Sequence, residues 1–366
     1  MGELQRVYVH IGPPKSGTTF LQNVLFANKD ALAAADVVLP AQDWPAHRRA
    51  CVRLMQRSAE TPPTAAAGDA PRDPWDRLVA QARRSGAQTA VLTAEQLSVA
   101  EPHAIGALVE SFAPAQIHVV YSARDLASVV PADWQTRLRN RKAPTWREFC
   151  DAVRDPGGPH SLGGAFWQHQ DPGLVLPRWL QHVPPQRVHV VTVPRSGSDP
   201  GLLWGRFCAV VGLDPAQYSL DVPRSNASLG GVEAEVLRRL TARVADRLSV
   251  PVYTDLVKIF VAREVLERRE QSFRLVLPEA EHAWLDPRAE QAIAYLRNAG
   301  FAVEGDLAEL TPLHRAAERA PDDVDEAEVA SLLDELLAAA VLEMARRQGD
   351  IRWKGPRSVD VSDAGD

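Results

Sequence analysis

Val7-Tyr8-Val9-His10-Ile11-Gly12-Pro13-Pro14-Lys15-Ser16-Gly17-Thr18-Thr19-Phe20 passes from a continuous apolar run, through a loop bounded by glycines, into residues spaced as one face of a helix: Phe20, Leu21, Val24 and Leu25. A short apolar run rich in β-branched residues reads as a buried strand, and the three- and four-residue spacing that follows reads as a helix. Strand, loop and helix in that order turn backbone N–H groups and the positive end of a helix dipole into one concavity, which suits an oxyanion. A nucleoside triphosphatase loop carries Lys directly after its second glycine, in the pattern G-x-x-x-x-G-K-[ST]. Here Thr18 takes that place and Lys15 lies within the arch. A Lys after the second glycine reaches terminal phosphates beside magnesium. A Lys three positions earlier lies near the bond between a 5′-phosphate and the group it carries.

Composition narrows the setting. Of 366 residues, 45% are hydrophobic and 24% charged, so the bulk of the chain can bury a core and is not disordered. The net charge of −6 argues against a nucleic-acid partner held by a basic face. Only Lys15, Lys29, Lys142, Lys258 and Lys354 are lysines among 41 basic residues, so a Lys in the loop reads as a choice of compact point charge over guanidinium. Cys51, Cys150 and Cys208 form no C-x-x-C pair, which points to neither a zinc framework nor a disulfide one and fits a reducing compartment. With no apolar run of about 18 residues and no signal-peptide pattern, a cytoplasmic protein without a membrane anchor is expected.

Short strand-like runs recur at 7–11, 89–93, 117–121 and 188–193, separated by helix-period stretches at 19–28, 75–84, 103–112, 146–153 and 202–211. Repeated βα units predict an α/β fold: a three-layer parallel sheet of P-loop type flanked by helices, with its ligand crevice beyond the C-terminal strand ends. Residues 58–74, rich in Pro and Gly, read as a surface loop, and 157–173, with Gly157, Gly158, Gly163 and Gly164, as a lid over a ligand. From residue 231 to 350 the pattern is mainly helical, so a domain boundary is expected at 230/231, with 351–366 a frayed tail. The helix at 325–347 carries an apolar stripe from Val329 to Met344 that reads as a packing face or, more sharply, a dimer face.

The segment Pro14-Lys15-Ser16-Gly17-Thr18-Thr19 followed by aromatic Phe20 resembles the 5′-phosphosulfate loop of sulfotransferases, in particular the bacterial type, whose donor is 3′-phosphoadenosine 5′-phosphosulfate (PAPS). The resemblance implies that Lys15 and the amides of Ser16 to Thr19 hold the charge that develops on the leaving nucleotide, and that no metal is needed. Thr18 and Thr19 read as phosphate ligands or helix caps, and Phe20 as an adenine-stacking ring or plain core. A second element, Tyr121-Ser122-Ala123-Arg124-Asp125-Leu126-Ala127-Ser128, implies that Arg124 grips the 3′-phosphate. The family places a Ser eight residues after this Arg. That position is Ala132, and Ser128, one turn earlier, is the substitute. A third, Arg224-Ser225-Asn226-Ala227-Ser228, makes Asn226 and Ser228 candidates for closing over the nucleotide, with simple capping as the other reading.

An acceptor hydroxyl must lose a proton, so a base is expected at a neighbouring strand end. Glu95, after Val91-Leu92-Thr93-Ala94, is the first choice. His10 reads as a core histidine, while His47, His160 and His169 are further candidates. Trp134, Trp146, Phe149, Phe166, Trp167 and Trp179 read equally as an acceptor pocket or as core. The expected activity is sulfuryl transfer to a hydroxyl or amine of a small molecule or glycan. Two readings compete with it: a nucleotide kinase with a degenerate loop, and a silent nucleotide-binding scaffold, the latter suggested by Ala132.

Overall fold

A computed structural model describes residues 2–57, 73–223, 228–317 and 319–348. Most of the loop expected at 58–74, Asn226 of the third element, and the tail at 351–366 lie outside the described residues. The strands are β1 (Arg6–Gly12), β2 (Val37–Val38), β3 (Thr89–Thr93), β4 (Gln116–Ala123), β5 (Val188–Thr192) and β6 (Ala302–Glu304). Among the described residues they form one sheet in the order β2-β3-β1-β4-β5-β6, every pair parallel. The chain runs outward from β1 to the β2 edge, returns to β3, and then crosses β1 to reach β4. β1 is therefore flanked by strands added in opposite directions, the switch point at which open α/β sheets bind ligands.

The helices are α1 (Thr18–Ala27), α2 (Lys29–Ala34), α3 (Trp44–Met55), α4 (Pro74–Arg84), α5 (Pro102–Phe112), α6 (Leu126–Arg139), α7 (Trp146–Arg154), α8 (Leu162–Gln170), α9 (Pro172–Leu180), α10 (Pro200–Val211), α11 (Gly231–Val244), α12 (Val250–Tyr253), α13 (Glu279–Asn298) and α14 (Glu326–Arg347). Alternation along the strands assigns them to two layers. Val7, Val9 and Ile11 of β1 face a core shared with α3, α4, α5, α9 and α13, whereas Tyr8 faces one shared with α1, α2 and α10. Each fully buried Val, Ile or Leu contributes about 1.5–3 kcal/mol, so covering both faces holds the strand ends in place. The expected three-layer α/β sheet is thus the observed one.

The chain divides into two compact units. The first takes residues up to Arg137, Pro144–Ser228 and the stretch from Leu275; the second takes Leu138–Ala143, Leu229–Arg274 and the stretch from Arg319. The boundary at 230/231 is corrected on one point: the chain returns to the first unit, where α13 packs Ile293 and Leu296 on the sheet and β6 pairs with β5. A three-residue edge strand is too short to show as an apolar run.

In the second unit, α14 packs through Val329, Leu332 and Leu336 and leaves Leu337, Val341 and Met344 more than half exposed. The stripe read from the sequence splits into a packed half and an open half.

Candidate functional site

The loop after β1 is built from left-handed backbone. Gly12 has φ 80°, Gly17 φ 78° and Lys15 φ 68°. Glycine adopts this conformation freely, while for a residue with a Cβ it costs about 1–2 kcal/mol. The loop offsets that cost for Lys15 with three polar ties: Arg124 Nη1 donates to the Lys15 carbonyl at 2.8 Å, Gln170 Nε2 to the Pro14 carbonyl at 2.9 Å, and Ser16 Oγ to the Pro13 carbonyl at 2.5 Å. Gly17 is the N-cap of α1 and offers no side-chain cap, and the first turn holds no acidic residue. The threonine-capping reading is therefore corrected: Thr18 and Thr19 lie inside the helix, whose positive end faces the loop.

Glu95 and Arg124 leave the two strands beside β1. His10 of β1 pairs with Thr93 of β3, and the Ala94 amide donates to the His10 carbonyl at 3.0 Å, so Glu95 emerges beside the loop. A Cβ on Gly12 would lie 2.9 Å from the Glu95 Cβ, so only glycine allows this approach. Gln22 Nε2 donates to one carboxylate oxygen of Glu95 at 2.8 Å and Gln96 Nε2 to the other at 3.3 Å. Sequence reasoning missed Gln22, which is 4% exposed. Its signal is an amide at the helical spacing of Thr18 and Leu25, where an apolar residue is the norm.

The histidines separate by burial. His10 is fully buried between Thr93 Oγ1 and Ser122 Oγ, each at 2.9 Å, and burial lowers its pKa to about 4. It is the core histidine expected. His47 donates Nδ1–H to the Pro40 carbonyl at 2.8 Å and accepts the Thr93 amide on Nε2 at 3.1 Å, a structural tie, and burial takes its pKa to about 4. His160 is exposed. His169 lies with the site: its Nδ1 meets Ser98 Oγ at 2.7 Å, while that hydroxyl gives its one proton to the Glu95 carbonyl at 2.6 Å. Nδ1 must then be the donor, which leaves Nε2 as the acceptor of the neutral ring. Burial lowers the pKa of His169, opposed by the Asp133 and Glu95 carboxylates and assisted by Arg137 and Arg178.

Arg124 follows the last residue of β4, and Asp125 caps α6 by accepting the Ala127 amide at 3.0 Å. Ser128 lies half-buried in the first turn of α6, its amide bonded to the Asp125 carbonyl. Phe20 borders a cavity of about 370 Å³ together with Asn23, Pro200, Leu220 and Val222. Ser228 is exposed, and α11 begins after Gly230 with no side-chain cap, so Ser228 is not its cap.

One expectation fails here, and one open alternative closes. The segment 157–173 is not a lid loop, because it contains α8. A Cβ on Gly163 would lie 1.7 Å from the Ala152 carbonyl oxygen and one on Gly164 2.2 Å from that of Gly158, so these glycines serve close packing against α7 and the turn after it. The aromatics are core: Trp134, Trp146, Phe149, Phe166, Trp167 and Trp179 are all at most 5% exposed, and the first five form a chain of ring contacts 5.0–6.2 Å apart.

No family model matches the chain, and no curated protein does. Among solved structures, the chain is similar to a sulfotransferase from Alicyclobacillus acidocaldarius at 18% identity, over 68% of this chain and 94% of that one, with a TM-score of 0.35. It is also similar to the sulfotransferase domain from the curacin biosynthetic pathway at 13% identity, over 80% and 98% of the two chains, with a TM-score of 0.38. Overlaps this loose assign neither family nor activity. Among the described residues, no helix is long and apolar enough to cross a membrane.

Proposed function

We propose that the chain is a sulfotransferase that moves a sulfuryl group from PAPS to a hydroxyl of a small molecule or glycan. The observation that carries the reading is Lys15, held at φ 68° inside the loop by bonds from Arg124 and Gln170, with Glu95 emerging beside it. The residues fit the donor in kind. The open cap at Gly17 suits the 5′-phosphate, Arg124 the 3′-phosphate, and the cavity beside Phe20 lies within the range of small-molecule pockets, roughly 300–1,000 Å³. Asn226, Ser128 and Ser228 stay in the proposal as further nucleotide contacts.

In this mechanism Glu95 takes the proton of the acceptor hydroxyl as its oxygen bonds to sulfur. Lys15 and the amides of Ser16 to Thr19 stabilise the phosphate oxygen as its bond to sulfur breaks and the 3′,5′-bisphosphate leaves. A preorganised donor of this kind is worth about 2.7–4 kcal/mol of barrier. His169, fixed by Ser98 with Nε2 as acceptor, is the second candidate base. The kinase reading loses ground because Thr18 stands where the triphosphatase Lys would, and Asp125 at the end of β4 is used as a helix cap.

Titration calorimetry with 3′-phosphoadenosine 5′-phosphate, ATP and GTP tests the proposal. The bisphosphate is expected to bind at least about tenfold tighter than either triphosphate, a difference of ~1.4 kcal/mol. Equal affinity for all three would remove the reading, and tight binding with no turnover would leave the silent scaffold.

A further inference from the structure

We propose that Glu279, His282 and His314 form a binding site for a divalent transition metal ion of the zinc type. The three sit in the first unit and offer ligand atoms that all lie within 4.8 Å of one another. Glu279, His282 and Asp286 fall at i, i+3 and i+7 of α13, on one face of the helix. His314 reaches the same face from the segment after β6, its ring centroid 3.7 Å from that of His282.

Asp286 sets which ring atoms are available. It meets His282 Nδ1 at 3.1 Å and His314 Nε2 at 2.8 Å. A carboxylate accepts hydrogens, so in neutral rings the lone pairs fall on His282 Nε2 and His314 Nδ1, the second-sphere arrangement common for metal-ligating histidines. Among the described residues, His282 Nε2 has no hydrogen-bond partner, in a residue only 2% exposed. His314 Nδ1 stands 3.4 Å from Glu279 Oε1. A lone pair facing a carboxylate oxygen requires a cation between them, either a proton or a metal. The orphaned Nε2 of His282 favours the metal, because a proton on His314 leaves that buried nitrogen unsatisfied.

Two imidazoles and a carboxylate suit zinc, cobalt or nickel rather than calcium or magnesium. A tetrahedral ion with bonds of 2.0–2.1 Å spaces its ligands about 3.3 Å apart. Rotation of the exposed Glu279 side chain, with a swing of the His314 ring about its hydrogen bond to Asp286, closes the difference. The ion would pin the segment after Leu310 to α13, whose Ala289, Ile293 and Leu296 line a cavity with Arg124.

The test is titration of the tag-free, metal-stripped full chain with Zn²⁺ by calorimetry and with Co²⁺ by visible absorption. One ion per chain is expected, with cobalt bands typical of four-coordinate nitrogen and oxygen ligands and a rise in melting temperature on adding Zn²⁺. His314→Ala, at an exposed position, should abolish all three signals, Asp286→Asn should weaken Zn²⁺ binding about 10–100-fold, and His182→Ala, at an exposed histidine outside the cluster, should change nothing. A wild-type chain that takes up no ion would overturn the proposal. So would a stoichiometric site whose cobalt spectrum survives in His314→Ala.

Discussion

The loop after β1 and the corner between α7 and α8 both depend on paired glycines, and for different physical reasons. In the loop, Gly12 and Gly17 hold φ 80° and 78°, and Gly12 also gives Glu95 room to approach. At the corner, Gly163 and Gly164 are within a helix, and what forbids a Cβ there is the backbone oxygen of another segment at 1.7 and 2.2 Å. Glycine at the first place shapes the proposed ligand cradle; at the second it lets two stretches of backbone touch. The loop should therefore answer to mutation in activity and the corner in stability.

The largest effect is expected from the loop side. Glu95→Gln should lower kcat by about 10²–10⁴-fold and Lys15→Met by about 10²–10³-fold, both with the urea midpoint nearly unchanged. Steady-state transfer assays beside urea melts separate the two quantities. A Glu95→Gln enzyme of near-normal rate would hand the base role to His169.

At the corner, Gly163→Ala should cost about 1–3 kcal/mol or more of stability, because backbone cannot yield as a side chain does. Its kcat should remain close to wild type where the variant is folded. A stable Gly163→Ala enzyme with impaired transfer would erase the distinction between the two regions.

The histidines sharpen the same contrast on a smaller scale. His10 and His47 are fully buried with pKa values lowered from 6.5 to about 4. The unfolded chain binds more protons than the native one between those values, so stability is full above pH 6.5 and falls as the pH drops towards 4. Each group contributes a slope of up to about 1.4 kcal/mol per pH unit. Urea unfolding at a series of pH values should show His47→Gln flattening the profile by about that amount. An unchanged slope would mean that His47 is not held neutral by burial.

Much of this was legible in the sequence where a single local signal sufficed. The runs at 7–11, 89–93, 117–121 and 188–193 are buried on both faces, so they show as continuous apolar segments and fall within a residue or two of β1, β3, β4 and β5. Lys15, Glu95 and Arg124 were legible as strand-end residues because each lies within four residues of such a run, whereas the roles given to them rest on the resemblance. β2 and β6 were not, since two or three residues at an edge carry no pattern, and without β6 the return of the chain at Leu275 could not be seen. Glycines 157–164 misled because composition does not tell a turn from a close contact. The link from Ser98 to His169 joins residues 71 apart, and only the packing of α8 beside the end of β3 creates it.

The central claim is that Lys15 and the loop amides hold the 5′-phosphate of a phosphosulfate donor. A crystal structure of the full chain with 3′-phosphoadenosine 5′-phosphate tests it most directly. The account predicts the 5′-phosphate inside the loop, bonded to the amides of Ser16 to Thr19 and to Lys15 Nζ, with Arg124 towards the 3′-phosphate. A nucleotide bound elsewhere, or a loop phosphate from which Lys15 turns away, would contradict it.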